Sequence, residues 1–163
     1  MDKGLVHIIF GEGRGKTTSA IGQAIRAASE GKSVIIIQFL KEKQRDEIGF
    51  IRRLEPEIKV FRFEKTEKSF DSLSEEERQE ETQNLRNALN FARKVLVTEE
   101  CDVLILDEVL GLVEHGIADD SEIRGLLEAK HDDTELILTG IYEGREFWNL
   151  ADVVTEMVTK KNH

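Results

Sequence analysis

"FGEGRGKTTSA" (residues 10–20) follows the apolar run Leu5–Phe10 and precedes a stretch with helical spacing. Strand, glycines, Gly-Lys-Thr-Thr and helix make the arrangement of a phosphate-binding loop. The common spacing, G-x-x-x-x-G-K-[ST], needs glycine at position 10, where this chain has Phe10. The first glycine therefore comes one residue late, but the chemistry tolerates the offset. Gly11, Gly13 and Gly15 allow a tight turn and can aim N–H groups at phosphate oxygens. Lys16 adds a positive charge, and the helix that starts there turns its positive dipole end to the same anion. Thr17 is placed to offer its hydroxyl to Mg²⁺. The residues expected to bind the nucleotide are Gly11, Glu12, Gly13, Arg14, Gly15, Lys16, Thr17 and Thr18.

A second stretch supports this reading. "CDVLILDEVL" (residues 101–110) is a buried-strand pattern ending in two carboxylates, Asp107 and Glu108. The carboxyl ends of parallel strands lie beside the phosphate loop, where a metal–triphosphate needs anionic partners. Expected metal ligands are thus Thr17, Asp107 and Glu108. Motif chemistry leaves two uses for the triphosphate. In an ATPase, Glu108 would activate water against the γ-phosphate. In a transferase, the same residues would hold ATP while another group reacts. Spacing does not choose between them.

Outward from these motifs, short β-rich runs alternate with helical segments. The strands are expected at Leu5–Phe10, Val34–Phe39, Ile58–Phe63, Val103–Leu106, Glu135–Thr139 and Val153–Val158. "SVIIIQF" (residues 33–39) is apolar without alternation, as in a strand buried on both faces of a parallel sheet. Lys16–Glu30 reads as a helix with Ala20, Ile21, Ala24, Ile25 and Ala28 on one face, stopped by Gly31. A longer helix opens at Ser74, with Glu77 in capping-box spacing, and carries Leu85, Leu89, Ala92 and Leu96 as its core stripe. Asp119–Lys130 reads as another, capped by Asp119 or Asp120. Lys41–Glu57 and Glu64–Leu73 are expected as mobile loops. The alternation predicts one domain over residues 1–163, an α/β fold with a central, mostly parallel sheet flanked by helices.

The totals restrict the function class. A chain of 163 residues suits a single domain. Its net charge of −10 argues against a non-specific grip on nucleic acid, which needs Lys and Arg over phosphates. A single cysteine, Cys101, excludes an internal disulfide and a Cys-rich zinc site, and reads as a small packed residue. No apolar stretch approaches the ~20 residues of a membrane helix, nor does the N-terminus have a signal-peptide pattern. A cytoplasmic protein without membrane or nucleic-acid partners is expected. His7 reads as a packed or edge histidine, His115 as lying near a helix end, and Trp148 as a packing residue.

"KGLVHIIFGEGRGKTTSAIGQAIRAASEGKSVIIIQFLK" (residues 3–41) closely resembles the opening of the ATP:corrinoid adenosyltransferases, the cob(I)yrinic acid a,c-diamide adenosyltransferase family. That family has the same shortened loop, G-x-G-[KR]-G-K-T-T, and a strand ending in Q-F-x-K. The match continues through "DVLILDEV", "HGI", "LILTG" and "LADVVTEM". The resemblance implies a P-loop NTPase-like (RecA-like) fold. It also implies that a corrinoid reduced to Co(I) attacks C5′ of ATP and displaces triphosphate. The nucleophile belongs to the corrinoid, so Lys16 and Glu108, the catalytic residues implied, serve the leaving group and a Mg²⁺ or Mn²⁺ ion. A reduced flavoprotein as electron donor and a homodimer are implied as well. The other readings are a P-loop ATPase without corrinoid chemistry and a non-catalytic nucleotide or corrinoid sensor. The chain departs from the family at Ile141, where arginine is typical, and at Leu110, where Asn or Thr is frequent; family members also run on past "TEM" into a longer tail. Phe70 is a candidate corrin contact, with ordinary packing as its alternative.

Overall fold

The computed structural model describes residues 4–40, 47–65 and 68–162. Among them, six strands form one sheet: β1 (Val6–Phe10), β2 (Val34–Gln38), β3 (Ile58–Arg62), β4 (Val103–Asp107), β5 (Glu135–Gly140) and β6 (Val153–Glu156). Their order across the sheet is β3-β2-β4-β5-β1-β6, and every pairing is parallel. The sequence predicts a mostly parallel sheet; the one observed is wholly so. β4 is buried at every residue because helices cover both faces, which explains a run of Val, Leu and Ile without alternation.

On one face lie α3 (Glu75–Val97) and α5 (Asp120–Ala129), whose Leu85, Leu89, Ala92, Leu96, Ile123 and Leu127 pack against Leu104, Leu106, Leu136 and Leu138. α1 (Lys16–Ser29) lies on the other, with Ala20, Ile21, Ala24 and Ala27 against Ile9, Ile36, Val103, Ile105 and Ile137. Two of the helix starts are those the sequence marks. Ser74 Oγ accepts from the Glu77 N–H at 3.2 Å while Glu77 Oε1 accepts from the Ser74 N–H, a closed capping box. Asp119 Oδ1 accepts from the Glu122 N–H at 2.9 Å. The predicted face of α1 needs one correction. Ile25 is 47% exposed, because the face that meets the sheet is centred on Ala20, Ala24 and Ala27 and leaves Ile25 at its margin.

Within the stretches expected as mobile loops, residues 41–46 and 66–67 lie outside the described residues. The rest of the first holds α2 (Glu47–Ile51) and a single 3₁₀ turn, Arg52–Leu54; the second holds another, Phe70–Ser72. Ile51 is buried against β3's face of the sheet, which is why the short helix forms there. α4 (Gly111–Glu114) and the 3₁₀ segment Arg145–Leu150 are too short to have a periodic signature. No helix among the described residues is long and apolar enough to cross a membrane.

The phosphate loop is held from the side by the chain leaving β6. Met157 N–H donates to Phe10 O at 2.7 Å, Gly13 N–H donates to Met157 O at 2.9 Å, and Arg14 N–H donates to Thr159 Oγ1 at 2.9 Å. The two backbones approach so closely that a Cβ on Gly13 would stand 2.5 Å from Met157 C and O. Glycine at 13 is thus a packing requirement. Gly15 differs: nothing lies within 4 Å of its Cβ position, but its φ of +105° is a conformation that favours glycine.

Two outcomes follow from this packing. Gly13→Ala should lower stability by about 1–3 kcal/mol and strip the Met157 amide of its hydrogen-exchange protection, whereas Gly15→Ala should leave that protection in place. Equal loss of protection in both variants would contradict the clamp. Cys101 is buried next to β4, and burial pushes its thiol from the usual 9.0 up to about 12. The thiol stays neutral in the folded chain, so its contribution to stability is complete below pH 9 and is lost as pH rises toward 12. A thiol-specific disulfide reagent at pH 8 should leave the native protein unmodified and label one thiol in denaturant.

Candidate active site

The carboxyl ends of the central strands carry a row of polar side chains, and Asp107 is its centre. It closes β4, is 2% exposed, and accepts three hydrogen bonds. Thr17 Oγ1 donates to its Oδ1 at 2.9 Å, Thr139 Oγ1 donates to the same oxygen at 2.8 Å, and Gln38 Nε2 donates to Oδ2 at 3.3 Å. Each donor comes from a different element: the first turn of α1, the end of β5 and the end of β2. Burial pushes the Asp107 carboxyl above its ordinary range, opposed by its bonds to Thr139, Thr17 and Gln38 and by the charge of Lys16.

The phosphate loop leads into this row. Gly15 is the N-cap of α1 and offers no side chain to the helix, so the first-turn N–H groups are left for an incoming anion. By contrast the N–H groups of Gly11, Gly13 and Arg14 already serve Gly140 O, Met157 O and Thr159 Oγ1. The part of the loop whose N–H groups are open to an anion is therefore its second half, Gly15 to Thr18. Lys16 folds back across the turn, with Nζ donating to Gly13 O at 2.9 Å. Glu12, Arg14 and Thr18 are exposed.

Glu108 follows Asp107 with φ +62°, a left-handed conformation unusual for a residue with a side chain. Its N–H donates to Thr139 Oγ1 at 2.9 Å. Its Oε2 lies 3.8 Å from the Cβ position of Gly111, at the start of α4. Thr17 and Asp107 are thus in direct contact, and Glu108 hangs beside them on the α4 side. A hydroxyl and a buried carboxylate oxygen make an all-oxygen donor pair, which suits a hard divalent cation that keeps waters and phosphate oxygens in its shell. Among the described residues no group of three or more His, Cys, Asp or Glu could hold a metal by itself.

Sequence motifs do not mark Thr139, which bridges Asp107 Oδ1 and the Glu108 N–H, or Gln38 as a partner of Asp107. The remaining singled-out residues pack. His7 lies inside the sheet between β5 and β6, hydrogen-bonded to Thr155 Oγ1 at 2.8 Å, and burial lowers its pKa. His115 closes α4, and its ring meets Phe70 edge-on at 5.2 Å. Phe70 is partly buried against the core, with the Arg78 guanidinium 5.7 Å over its ring. Trp148 donates to Glu143 O at 2.6 Å and packs on Phe10. Leu110, the departure noted above, is fully buried.

The sequence matches the family described as ATP:corrinoid adenosyltransferase BtuR/CobO/CobP over residues 2–163. Among curated relatives, the corrinoid adenosyltransferase of Escherichia coli K12 is 31% identical over 157 residues, 96% of this chain and 77% of the relative. Corrinoid adenosyltransferase CobA of Salmonella typhimurium is 28% identical over 156 residues, with the same coverage. Among solved structures, a KaiC-like protein from Pyrococcus horikoshii superposes with a TM-score of 0.62 at 18% identity, covering 98% of this chain and 75% of that one. That likeness, with the loop and the parallel sheet, makes the fold P-loop NTPase-like. The chain belongs to the ATP:corrinoid adenosyltransferase family BtuR/CobO/CobP.

Proposed function

We propose that this chain transfers the 5′-deoxyadenosyl group of ATP to the Co(I) centre of a corrinoid, in cobalamin biosynthesis or salvage. Family membership over the whole sequence supports the reaction. The observation that carries the site is the Thr17–Asp107 contact at the foot of the glycine loop. The electron pair of Co(I) forms the Co–C bond at C5′. The C5′–O bond breaks, and triphosphate leaves with its electrons. No proton has to be removed from the nucleophile, so the chain need not supply a base; its tasks are alignment and charge neutralisation.

The loop Gly11 to Thr18 then cradles the polyphosphate, its first half, Gly11 to Arg14, fixing the path of the backbone and its second half, Gly15 to Thr18, making the contacts. The free N–H groups from Gly15 onward point at its oxygens, and Lys16 exchanges the Gly13 carbonyl for a phosphate oxygen. Thr17 and Asp107, with Glu108 alongside, would hold Mg²⁺ or Mn²⁺, which when bound neutralises charge on the departing triphosphate. Glu108 acts as an anionic partner of that site, not as a base for water. The chain works as one P-loop domain in the cytoplasm, as a homodimer, with a reduced flavoprotein supplying electrons to cobalt.

An anaerobic assay with ATP, Mg²⁺ and chemically reduced cob(I)inamide decides the matter. Triphosphate should appear in step with a light-labile Co–C absorbance. ADP and phosphate with no Co–C bond would replace this reading by an ATPase, and neither product would replace it by a sensor. Glu108→Gln should raise the metal concentration needed for half-maximal rate while leaving a substantial maximal rate. If the wild-type chain hydrolyses ATP to ADP and phosphate and Glu108→Gln abolishes that hydrolysis, Glu108 is restored as a base for water.

A further inference from the structure

Arg62, at the end of β3, has no place in the machinery described so far. Strand register nevertheless puts it in the same polar row. Arg62 is the Cα partner of Gln38, and Gln38 is the Cα partner of Asp107. With neighbouring parallel strands about 4.8 Å apart, the Arg62 and Asp107 backbones are separated by about 10 Å. Side chains alternate along a strand, so face can be assigned residue by residue. Ile58 and Val60 of β3, Val34 and Ile36 of β2, and Val103 and Ile105 of β4 all pack on the α1 side. Arg62, Gln38 and Asp107 continue those three series and project to that same side, where Thr17 confirms the direction for Asp107.

The Arg62 Nε is buried and has no hydrogen-bond partner among the described residues. Arg62 also forms no ion pair among them. A guanidinium cannot shed its proton to relieve that cost. A buried donor left unmade costs more than a satisfied one gains, so such a group in a functional crevice calls for an acceptor from outside the chain. The crevice beyond the carboxyl ends of parallel strands is where ligands of such sheets lie. The fork geometry of arginine suits phosphate and carboxylate oxygens above other acceptors.

We propose that Arg62 is a substrate-positioning residue: with Gln38 it extends the site from Asp107 across β2 to β3, and its guanidinium grips an oxyanion of a bound substrate. The inference rests on the function proposed above. Two sources carry that chemistry there, the polyphosphate of ATP and free side-chain carboxylates on a corrinoid. On either source, Arg62 fixes one substrate relative to the other; Gln38 serves as the neutral spacer that keeps Arg62 from pairing with Asp107.

The test is equilibrium calorimetry on wild-type protein, Arg62→Met and Arg62→Lys. The probes are Mg²⁺ with a non-hydrolysable ATP analogue, a corrinoid retaining free carboxylates, and cobinamide, in which the side chains are amidated. Arg62→Met should weaken one anionic ligand by about tenfold or more, as expected for loss of a hydrogen bond to a charged group. Arg62→Lys should recover part of that loss. Weakening of the nucleotide analogue assigns the grip to polyphosphate. Weakening confined to the carboxylate corrinoid, with cobinamide unaffected, assigns it to the corrinoid. Unchanged affinity for all three overturns the proposal, as does a lowered melting temperature without any change in affinity. Because these are binding measurements, a wild-type protein that failed to form a Co–C bond would overturn the proposed function and leave this result readable.

Discussion

A single buried carboxylate organises the molecule's working edge. Asp107 is removed from water at the end of a central strand, a position that penalises its charge. The penalty is met by three donors from three other elements. Those donors give the carboxylate its structural reach: the start of α1, the end of β5 and the end of β2 all converge on one side chain. Removing any donor would leave part of a buried charge unpartnered, which costs more than an ordinary hydrogen bond contributes. The same arrangement makes Asp107 a ready partner for a cation, because a cation offsets a buried anion better than neutral hydroxyls do. Structural economy and chemistry therefore pull in one direction here.

The glycine loop is constrained from two sides. On its inner side it must leave N–H groups of its second half available for an anion, and Gly15 does so by capping α1 without a side chain. On its outer side it must lie flat against the chain leaving β6, and Gly13 does so by having no Cβ to strike Met157. The two glycines answer different physical demands, although one motif contains both. The pairing of β6 with β1 extends that of the sheet, so the loop is anchored to a strand edge as well as to its own helix. Such anchoring spares the loop some of the ordering entropy that binding would otherwise cost.

Much of this was legible in the sequence where the signal is local. The run Val-Ile-Ile-Ile at residues 34–37 announces a doubly covered strand because no polar residue interrupts it, and Ser74 with Glu77 announces a helix start because the capping box is a four-residue device. Gly-Lys-Thr-Thr after a strand announces the glycine turn and the start of α1 at Lys16. What could not be read is what register decides. Thr139 and Gln38 are ordinary strand-end residues until β5 and β2 are set beside β4, and only then do both reach Asp107. Arg62 is more hidden still, since two strand pairings separate it from the motif. The limit on Ile25 is of the same kind: periodicity gives a face to α1, but the sheet chooses which edge of that face is covered.

The reaction explains why the row can be so sparing of bases. A hydrolase must take a proton from water, so it needs a carboxylate or imidazole free to receive one beside the nucleophile. Where the nucleophile is a metal centre brought by the second substrate, that demand disappears, and a site gains more from fixed donors and buried charge than from titrating groups. The residues next to Asp107 on either side in the sheet are an amide, Gln38, and a hydroxyl, Thr139, neither able to act as a base at neutral pH. Glu108, the one acid adjacent in sequence, is turned by its left-handed backbone toward Gly111 and α4. A row of donors around one buried carboxylate, with the nearest acid swung to its side, is the composition expected of a protein that aligns two substrates and receives the charge that one of them leaves behind.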